Sequence, residues 1–486
     1  MISVSFEEKN QIGLQYVLDS LHPCSPFGAE RVRRLRFCTP DERAELESEL
    51  CNTERAAKAV GTLKPLYEKI MLTLCQLKDI RGSLSRLSEG ACLDHVELFE
   101  LKGFFLRISE LIPLFDRMNE TVHAEGIVFR DPTDALDVLD PEHTRSRGFY
   151  IPDDASEALR AIRNEKKRLE QRLYEAKTDT EKDAIKTERM RVCAEEETEE
   201  RSVRKTMCDR LLPHVPALFA DADAAGRLDF LIQKAQFAAA YGGVRPELTE
   251  TALELIDMTN PELVDLLKEK GRAFVPVSLA TDRGATVITG ANMGGKSVAM
   301  KTVALNALLM HAGFLVCAKE AHMPLFHCIK MLFDDAQSMQ SGLSGFGSEI
   351  VRFNRALEEA EQGYSLLLID ELARGTNPDE GAVIVQAVTR YLNGANALSV
   401  LATHYDGVAE NARTHYQIIG LKGVDPDAIK AELSAVNEDG VAVIARHMNY
   451  GLYRVEGKAD CPRDALNICR MLSMKPEILE RIEQAY

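Results

Sequence analysis

The feature that most constrains this chain is the run Gly290-Ala291-Asn292-Met293-Gly294-Gly295-Lys296-Ser297. A short β-branched apolar run, Ala285–Thr289, precedes it, and helical spacing follows from Ser297 to Ala312. This is the G-x-x-x-x-G-K-S phosphate loop in the strand-to-helix setting that the motif needs. Glycines let the backbone curl until its N–H groups point inward at phosphates. The helix N-terminus behind them adds a positive dipole end. In such a loop Lys296 reaches the β- and γ-phosphates of a nucleotide, and Ser297 ligates Mg2+. Val298 follows in the first helical turn and completes the nucleotide-binding set. A glycine-rich turn with an incidental Lys-Ser pair would not require a strand before it and a helix after it.

Two further runs fit the same chemistry. Leu366–Ile369 is an apolar strand that ends in Asp370-Glu371, delivering two carboxylates to the C-terminal edge of a parallel sheet. Asp370 is placed to hold Mg2+, directly or through water, and Glu371 to orient and deprotonate an attacking water. Leu398–Ala402 reads as a third strand, ending in Thr403-His404, where His404 would face a γ-phosphate. Between these motifs, the Gly- and Ser-rich stretch from Asp334 to Glu349 leads into a helix from Glu349 to Gln362. It reads either as a second phosphate cradle or as an ordinary loop with a helix cap.

The remaining chain divides by texture. From Gln11 to about Gly242 the spacing is helical, with almost no strand alternation; from about Phe274 to Leu421, short apolar runs alternate with helical stretches, the pattern of α/β architecture. Ala155 to Lys205 is sparse in apolar residues, which recur every three or four positions, and suits a short antiparallel coiled-coil arm turning near Thr178–Thr180. Two helices of about 22 residues each would be roughly 33 Å long. Its 14 Lys and Arg against 13 Asp and Glu describe a solvated surface and no obvious phosphate clamp. Over all 486 residues, 59 Lys and Arg against 76 Asp and Glu give a net charge of −17, which excludes a whole-chain basic footprint for nucleic acid. The 11 cysteines form no C-x-x-C pair and suit free thiols in a reducing compartment. The polar N-terminus and the short apolar stretches predict a cytoplasmic protein with no membrane partner.

The runs TGANMGGKS, DDAQS with LSGF, LLLIDELARGTNPDEG and ATHY together resemble the MutS family of ATPases, within the wider ABC-type group. Upstream, LDSLHPCSPFGAERVRRLRF resembles the start of the family's helical core, and LDFLIQKAQFAAAYGGVRPEL its return helix. The resemblance implies an α/β P-loop ATPase domain preceded by an all-α core and lever region carrying the arm. The expected boundaries are 1–154 for core and lever, 155–212 for the arm (a reduced clamp), 213–273 for return helices and connector, 274–423 for the ATPase, and 424–486 for a C-terminal strand and helical dimerisation element.

The resemblance also implies a dimer, with itself or a paralogue, in which each ATP site is completed in trans. Ser344, with Phe346 and Gly347, matches the signature that touches the partner's γ-phosphate. Gln337 matches a loop that senses magnesium and nucleotide, Asn377 and Asp379 match a loop crossing the interface, and Phe274 stands where the family stacks a residue on adenine. ATP and Mg2+ are the implied ligands, with Lys296, Glu371 and His404 as the catalytic set.

Departures shape the expected function. Only about a dozen residues precede the core, so the family's mismatch reader is expected to be absent, and a nuclease-like module after Tyr486 is not expected either. Ala291 stands where mismatch-repair members have Pro, and Gly345 where Thr is usual; both changes are mild. Three functional classes follow: an ATPase acting on mismatched or branched DNA; a MutS-like ATPase that remodels a protein, as suggested for those encoded beside cobalamin-dependent lysine and ornithine aminomutases; and an inert structural dimer. The intact Lys296, Ser297, Asp370, Glu371 and His404 disfavour the third.

Overall fold

The first strand begins at Glu247, shortly after the helical texture ends. The computed structural model describes residues 2–290, 295–333, 345–421, 424, 443, 447–456, 469–472 and 474–485. Before that strand come helices α1 (Phe6–Ile12), α2 (Leu14–Ser20), α3 (Pro26–Arg33), α4 (Arg43–Ala59), α5 (Lys64–Leu74), α6 (Arg81–Ser88), α7 (His95–Val122), α8 (Thr133–Leu139), α9 (Glu157–Glu175), α10 (Asp179–Leu211) and α11 (Val215–Tyr241). Beyond it, helices α12 (Pro261–Glu269), α13 (Lys296–His311), α14 (Gly345–Ala360), α15 (Pro378–Gly394) and α16 (Pro476–Ala485) are interspersed with strands. The strands are β1 (Glu247–Thr249), β2 (Leu253–Met258), β3 (Val277–Thr281), β4 (Gly284–Thr289), β5 (Glu320–Pro324), β6 (Cys328–Leu332), β7 (Ser365–Asp370), β8 (Ala397–Thr403), β9 (Thr414–Gly420) and β10 (Asn449–Arg454).

The chain gathers into two units, Met1–Leu21 with Leu35–Ala57 and Lys234–Tyr486, and His22–Arg34 with Lys58–Gln233. Helix α11 runs through the boundary at Gln233. These units differ from the division expected at residue 154, because the first two helices and most of α4 cluster with the strand-bearing unit. The expected connector, 213–273, also contains β1 and β2. Leu253-Glu-Leu-Ile-Asp-Met258 offers only a brief alternation, Leu and Glu favour helix, and the register shifts between Leu255 and Met258, where Asp257 takes a positive φ of 51°. What makes β2 a strand is pairing with β3 and β5, which lie further along the chain.

In the strand-bearing unit, a six-stranded sheet runs in the order β10-β9-β4-β8-β7-β6, parallel except for β10, beside a four-stranded sheet ordered β1-β5-β2-β3. Strands β4 and β8 are buried at every residue, as central parallel strands covered on both faces must be. One face, carrying Ala285, Val287, Leu367, Ile369 and Leu401, packs with Phe353 of α14 and with Val385 and Leu392 of α15. The alternate residues point to the other face, against which α13 lies, in contact with β7 and β8. Nearly every residue of α13 after its first turn is buried, so its apolar character all round follows from its central place.

The other unit is helical. Phe27 meets Phe104 edge to face at 6.0 Å. The fully buried Asp229 of α11 accepts from the backbone N–H groups of Cys24 and Ser25 and from the Ser25 hydroxyl, at 3.1, 2.6 and 2.7 Å. Residue 28 has to be glycine there, since a Cβ would lie 2.2 Å from the Asp229 Oδ2. Helices α9 and α10 pack antiparallel along Leu169, Ile185 and Val192. They differ from the expected equal pair, with α10 at 33 residues and α9 at 19. Arg163 pairs with Glu196 and Glu200, Lys166 with Glu196, and Arg189 with Glu170, so many of the arm's cations are met by its own acids. Among the described residues no helix is long and apolar enough to cross a membrane.

At the C-terminal end of α13, the fully buried His311 donates from Nδ1 to the Cys38 carbonyl at 2.7 Å and accepts the Phe326 N–H on Nε2 at 3.2 Å. Both ring nitrogens are used by the neutral imidazole, and burial pushes its pKa down to about 4. A folded-state value below the unfolded 6.5 means that protons bind the unfolded chain more readily. The stability is present above that pH and falls as pH drops from 6.5 towards 4, by up to about 3 kcal/mol. Denaturant melts between pH 7 and 4.5 should show this slope, and His311→Asn should flatten it from a lower starting stability.

Candidate functional site

Strand register assembles the site. In the parallel ladder Asp370 stands opposite Ala402, and Ala402 opposite Ile288, while Thr403 stands opposite Thr289. Residues that follow those strands, Gly290, Glu371 and His404, therefore leave the sheet at one edge. That edge is the carboxyl end of parallel strands, where α/β sheets bind ligands.

The phosphate-loop run turns out of β4 at Gly290, with φ 146°, and enters α13 through Gly295, with φ 91°, which caps the helix. Ala291, Asn292, Met293 and Gly294 lie outside the described residues. A Cβ at Gly290 would meet the Ile418 Cβ at 3.0 Å, and one at Gly295 would meet the Tyr450 ring at 2.9 Å. Both positions thus require glycine for backbone conformation and for close approach. Lys296 is buried and donates from Nζ to the Gly290 carbonyl at 2.6 Å. Its Nζ stands 3.8 Å from the Glu371 Oε1. Val298 sits half-buried in the same first turn.

Asp370, which ends β7, and Glu371, which follows it, occupy different environments. Burial pushes the Asp370 carboxyl up, opposed by a hydrogen bond from Ser297. Its Oδ1 is buried with no hydrogen-bond partner among the described residues. Glu371 carries the opposite shift: the His404 imidazole beside it, then Lys296 and Arg374, hold its carboxyl below the ordinary range against the pull of burial. His404 Nδ1 lies 3.8 Å from Oε1, and Arg374 3.5 Å from Oε2. Glu371 and Ala373 have φ of 51° and 64°, left-handed conformations that cost a non-glycine residue about 1–2 kcal/mol each.

A buried carboxylate oxygen without a partner, bonded through its carboxyl group to a serine hydroxyl, suits a hard cation that prefers oxygen. Among the described residues no cluster of three or more His, Cys, Asp or Glu could hold a metal alone. Ser297 and Asp370 would therefore supply only part of what a Mg2+ needs, the rest coming from outside the protein.

Other residues singled out from the sequence stand elsewhere. Asn377 caps α15, its side chain accepting from the Asp379 N–H at 2.9 Å. Phe346, at the start of α14, packs on its own chain's core and beside Gly375, with Gly347 next to it. Phe274 is half-buried between α12 and β3, and no described hydrogen bond or ring contact joins it to the site. Gln337 and Ser344 lie outside the described residues. Sequence reasoning did not select Arg374, although it stands three residues after Glu371 in the same motif. It also passed over Tyr450, which reaches Gly295 from β10 and has no local signal.

Comparison with known proteins covers the part of the chain that forms this edge. Residues 286–473 match the family model described as MutS domain V. Among relatives, the protein called Endonuclease MutS2 of Caldanaerobacter subterraneus subsp. tengcongensis is 28% identical over 267 residues, 54% of this chain and 31% of that protein. The protein of the same name from Thermomicrobium roseum is 33% identical over 44% of this chain and 28% of its own. That from Streptococcus agalactiae is 26% identical over 70% of this chain and 42% of its own. This chain therefore spans less than half the length of these relatives. Together the matches support a MutS-family protein.

Gly295→Ala should destabilise the strand-bearing unit by about 1–3 kcal/mol, from left-handed strain and the Tyr450 contact together. Urea melts of both proteins measure this, and an unchanged midpoint would show that Tyr450 and the loop yield without cost.

Proposed function

We propose that this chain hydrolyses ATP at the edge formed by β4, β7 and β8, and that it couples the cycle to work on DNA. The observation that carries the reading is the convergence of Lys296, Ser297, Asp370, Glu371 and His404 beyond one row of the parallel sheet. Lys296 would leave the Gly290 carbonyl to donate to the β- and γ-phosphates. Its burial gives that charge more weight than it would have in water. Glu371, held ionised by the cations around it, accepts the proton of the attacking water. His404, beside that carboxylate, faces the γ-phosphate. Ser297 and Asp370 would hold a magnesium ion, which would supply neutralisation of phosphate charge.

In this reading the working unit is a dimer, with each site completed by residues near Ser344 from a second copy. Gln337 senses nucleotide, and the loop of Asn377 and Asp379 lies at the interface. The helices upstream, including the arm of α9 and α10, carry nucleotide-driven closure to the client. DNA is proposed as client because the matched relatives are called endonucleases. The net charge of −17 requires that any DNA contact be local.

Lys296→Ala is expected to abolish nucleotide binding or turnover. Glu371→Gln should bind ATP, accumulate the closed dimer and hydrolyse at least about a hundredfold more slowly. Wild-type turnover in Glu371→Gln would sink its role as base. Mixing Ser344→Ala with Lys296→Ala subunits tests shared sites, since activity indifferent to the partner's genotype would argue against completion in trans. For the client, ATPase rate is measured with duplex, branched or single-stranded DNA at two salt concentrations. A DNA client changes the rate with a steep salt dependence, and no effect at low salt would point to a protein client instead.

A further inference from the structure

Ala373 is completely buried two residues after Glu371, and both of its backbone polar groups are gripped by side chains. Its N–H donates to the Glu349 Oε1 at 3.1 Å, and its carbonyl accepts from the Tyr405 hydroxyl at 2.9 Å. Glu349 belongs to the first turns of α14, and Tyr405 follows His404 at the end of β8. The Tyr405 phenol is buried in the core shared by the sheet, α14 and α15, and its own N–H donates to the Thr403 hydroxyl at 3.1 Å. Its hydroxyl reaches Ala373 past residue 381 of α15, where a Cβ would come within 2.5 Å of that oxygen; only glycine leaves the path open.

The segment being held is the one that needs holding. Glu371 and Ala373 both sit in left-handed backbone conformations without being glycine, and such conformations persist where surrounding contacts over-determine them. The Glu371 N–H continues the ladder to the Ala402 carbonyl at 3.0 Å, which fixes one end of the segment. Glu349 and Tyr405 fix the other end, two residues on. We propose that Glu349 and Tyr405 are positioning residues that hold the backbone after Glu371 in its left-handed turn, and so aim the Glu371 carboxylate at the phosphate-loop edge. This rests on the reading of Glu371 as the base. The effect of Glu349 and Tyr405 reaches the reaction through the direction in which Glu371 points, where small misplacements cost large factors in rate.

The test compares Tyr405→Phe, Gly381→Ala, Glu349→Ala and Glu349→Gln with the wild-type chain and with Glu371→Gln, in steady-state ATP hydrolysis and fluorescent-ATP binding, with thermal melts alongside. Tyr405→Phe removes only the hydroxyl, and Gly381→Ala displaces it from a different helix. Each is expected to lower kcat about tenfold or more, with KM and ATP affinity within about twofold of wild type. Glu349→Ala should do the same, and Glu349→Gln, whose amide oxygen still accepts the N–H, should recover most of the loss. Adding Tyr405→Phe to Glu371→Gln should cause no further fall, because a base that is already disabled gains nothing from aim.

Wild-type kcat in Tyr405→Phe, beside a slow Glu371→Gln, would overturn the positioning role and leave the base in place. A parallel loss of ATP affinity and melting temperature in Tyr405→Phe and Glu349→Ala would overturn it in favour of a purely structural role. Full additivity with Glu371→Gln would overturn it too, and wild-type turnover in Glu371→Gln itself would remove the base on which it rests.

Discussion

The structure depends on the register of three parallel strands. β4, β8 and β7 lie side by side, buried on both faces, and end within one residue of each other at the same edge. Because side chains alternate along a strand, a slip of one residue would turn every core residue to the wrong face. Packing of the apolar faces therefore sets the register, and the register sets where Gly290, Glu371 and His404 leave the sheet. The chemistry of the edge is a consequence of how Val287, Leu367, Ile369 and Leu401 fit beneath α14 and α15.

That edge creates its own electrostatics, in a protein whose overall charge has the wrong sign for binding anions. A buried lysine, the N-terminus of a long helix and an exposed arginine surround two carboxylates whose environments push them in opposite directions. Asp370 is raised by burial and keeps an oxygen without a partner among the described residues, as a cation ligand would. Glu371 is lowered by its neighbours and stays ionised, as a base must. Neighbouring residues at the end of one strand thus acquire opposite shifts from where their side chains point. By contrast, many charges along α9 and α10 pair with one another near solvent, where such pairs contribute little stability.

Legibility in the sequence followed the range of the interactions. Strands β4, β7 and β8 and helix α13 announce themselves because their apolar runs are contiguous and bounded by motif residues. Asp370 and Glu371 at the end of β7 are visible for the same reason. Strand β2 was missed because Leu253–Met258 has an ambiguous composition and becomes a strand only through distant partners. Spacing marks Leu169, Ile185 and Val192 as the seam of α9 with α10, but not the unequal lengths of the two helices, since charged residues continue α10 well past that seam. Tyr450 had no readable signal, and Tyr405 stood in a recognised motif without an evident task.

By itself the sequence determined the strand–loop–helix unit around Lys296, the order of the acids and His404 along the chain, and a helical first half. These are local properties, dictated by glycine conformation, apolar runs and helical spacing. Tertiary structure decided which groups meet. It folded Lys296 back onto Gly290, set Glu371 between Lys296 and His404, pressed Tyr450 onto Gly295 and closed Glu349 and Tyr405 on Ala373. It also joined His311 to Cys38, 273 residues away. The reason is physical: a buried polar group must find a partner, and no local pattern names that partner when it arrives from another element of the fold.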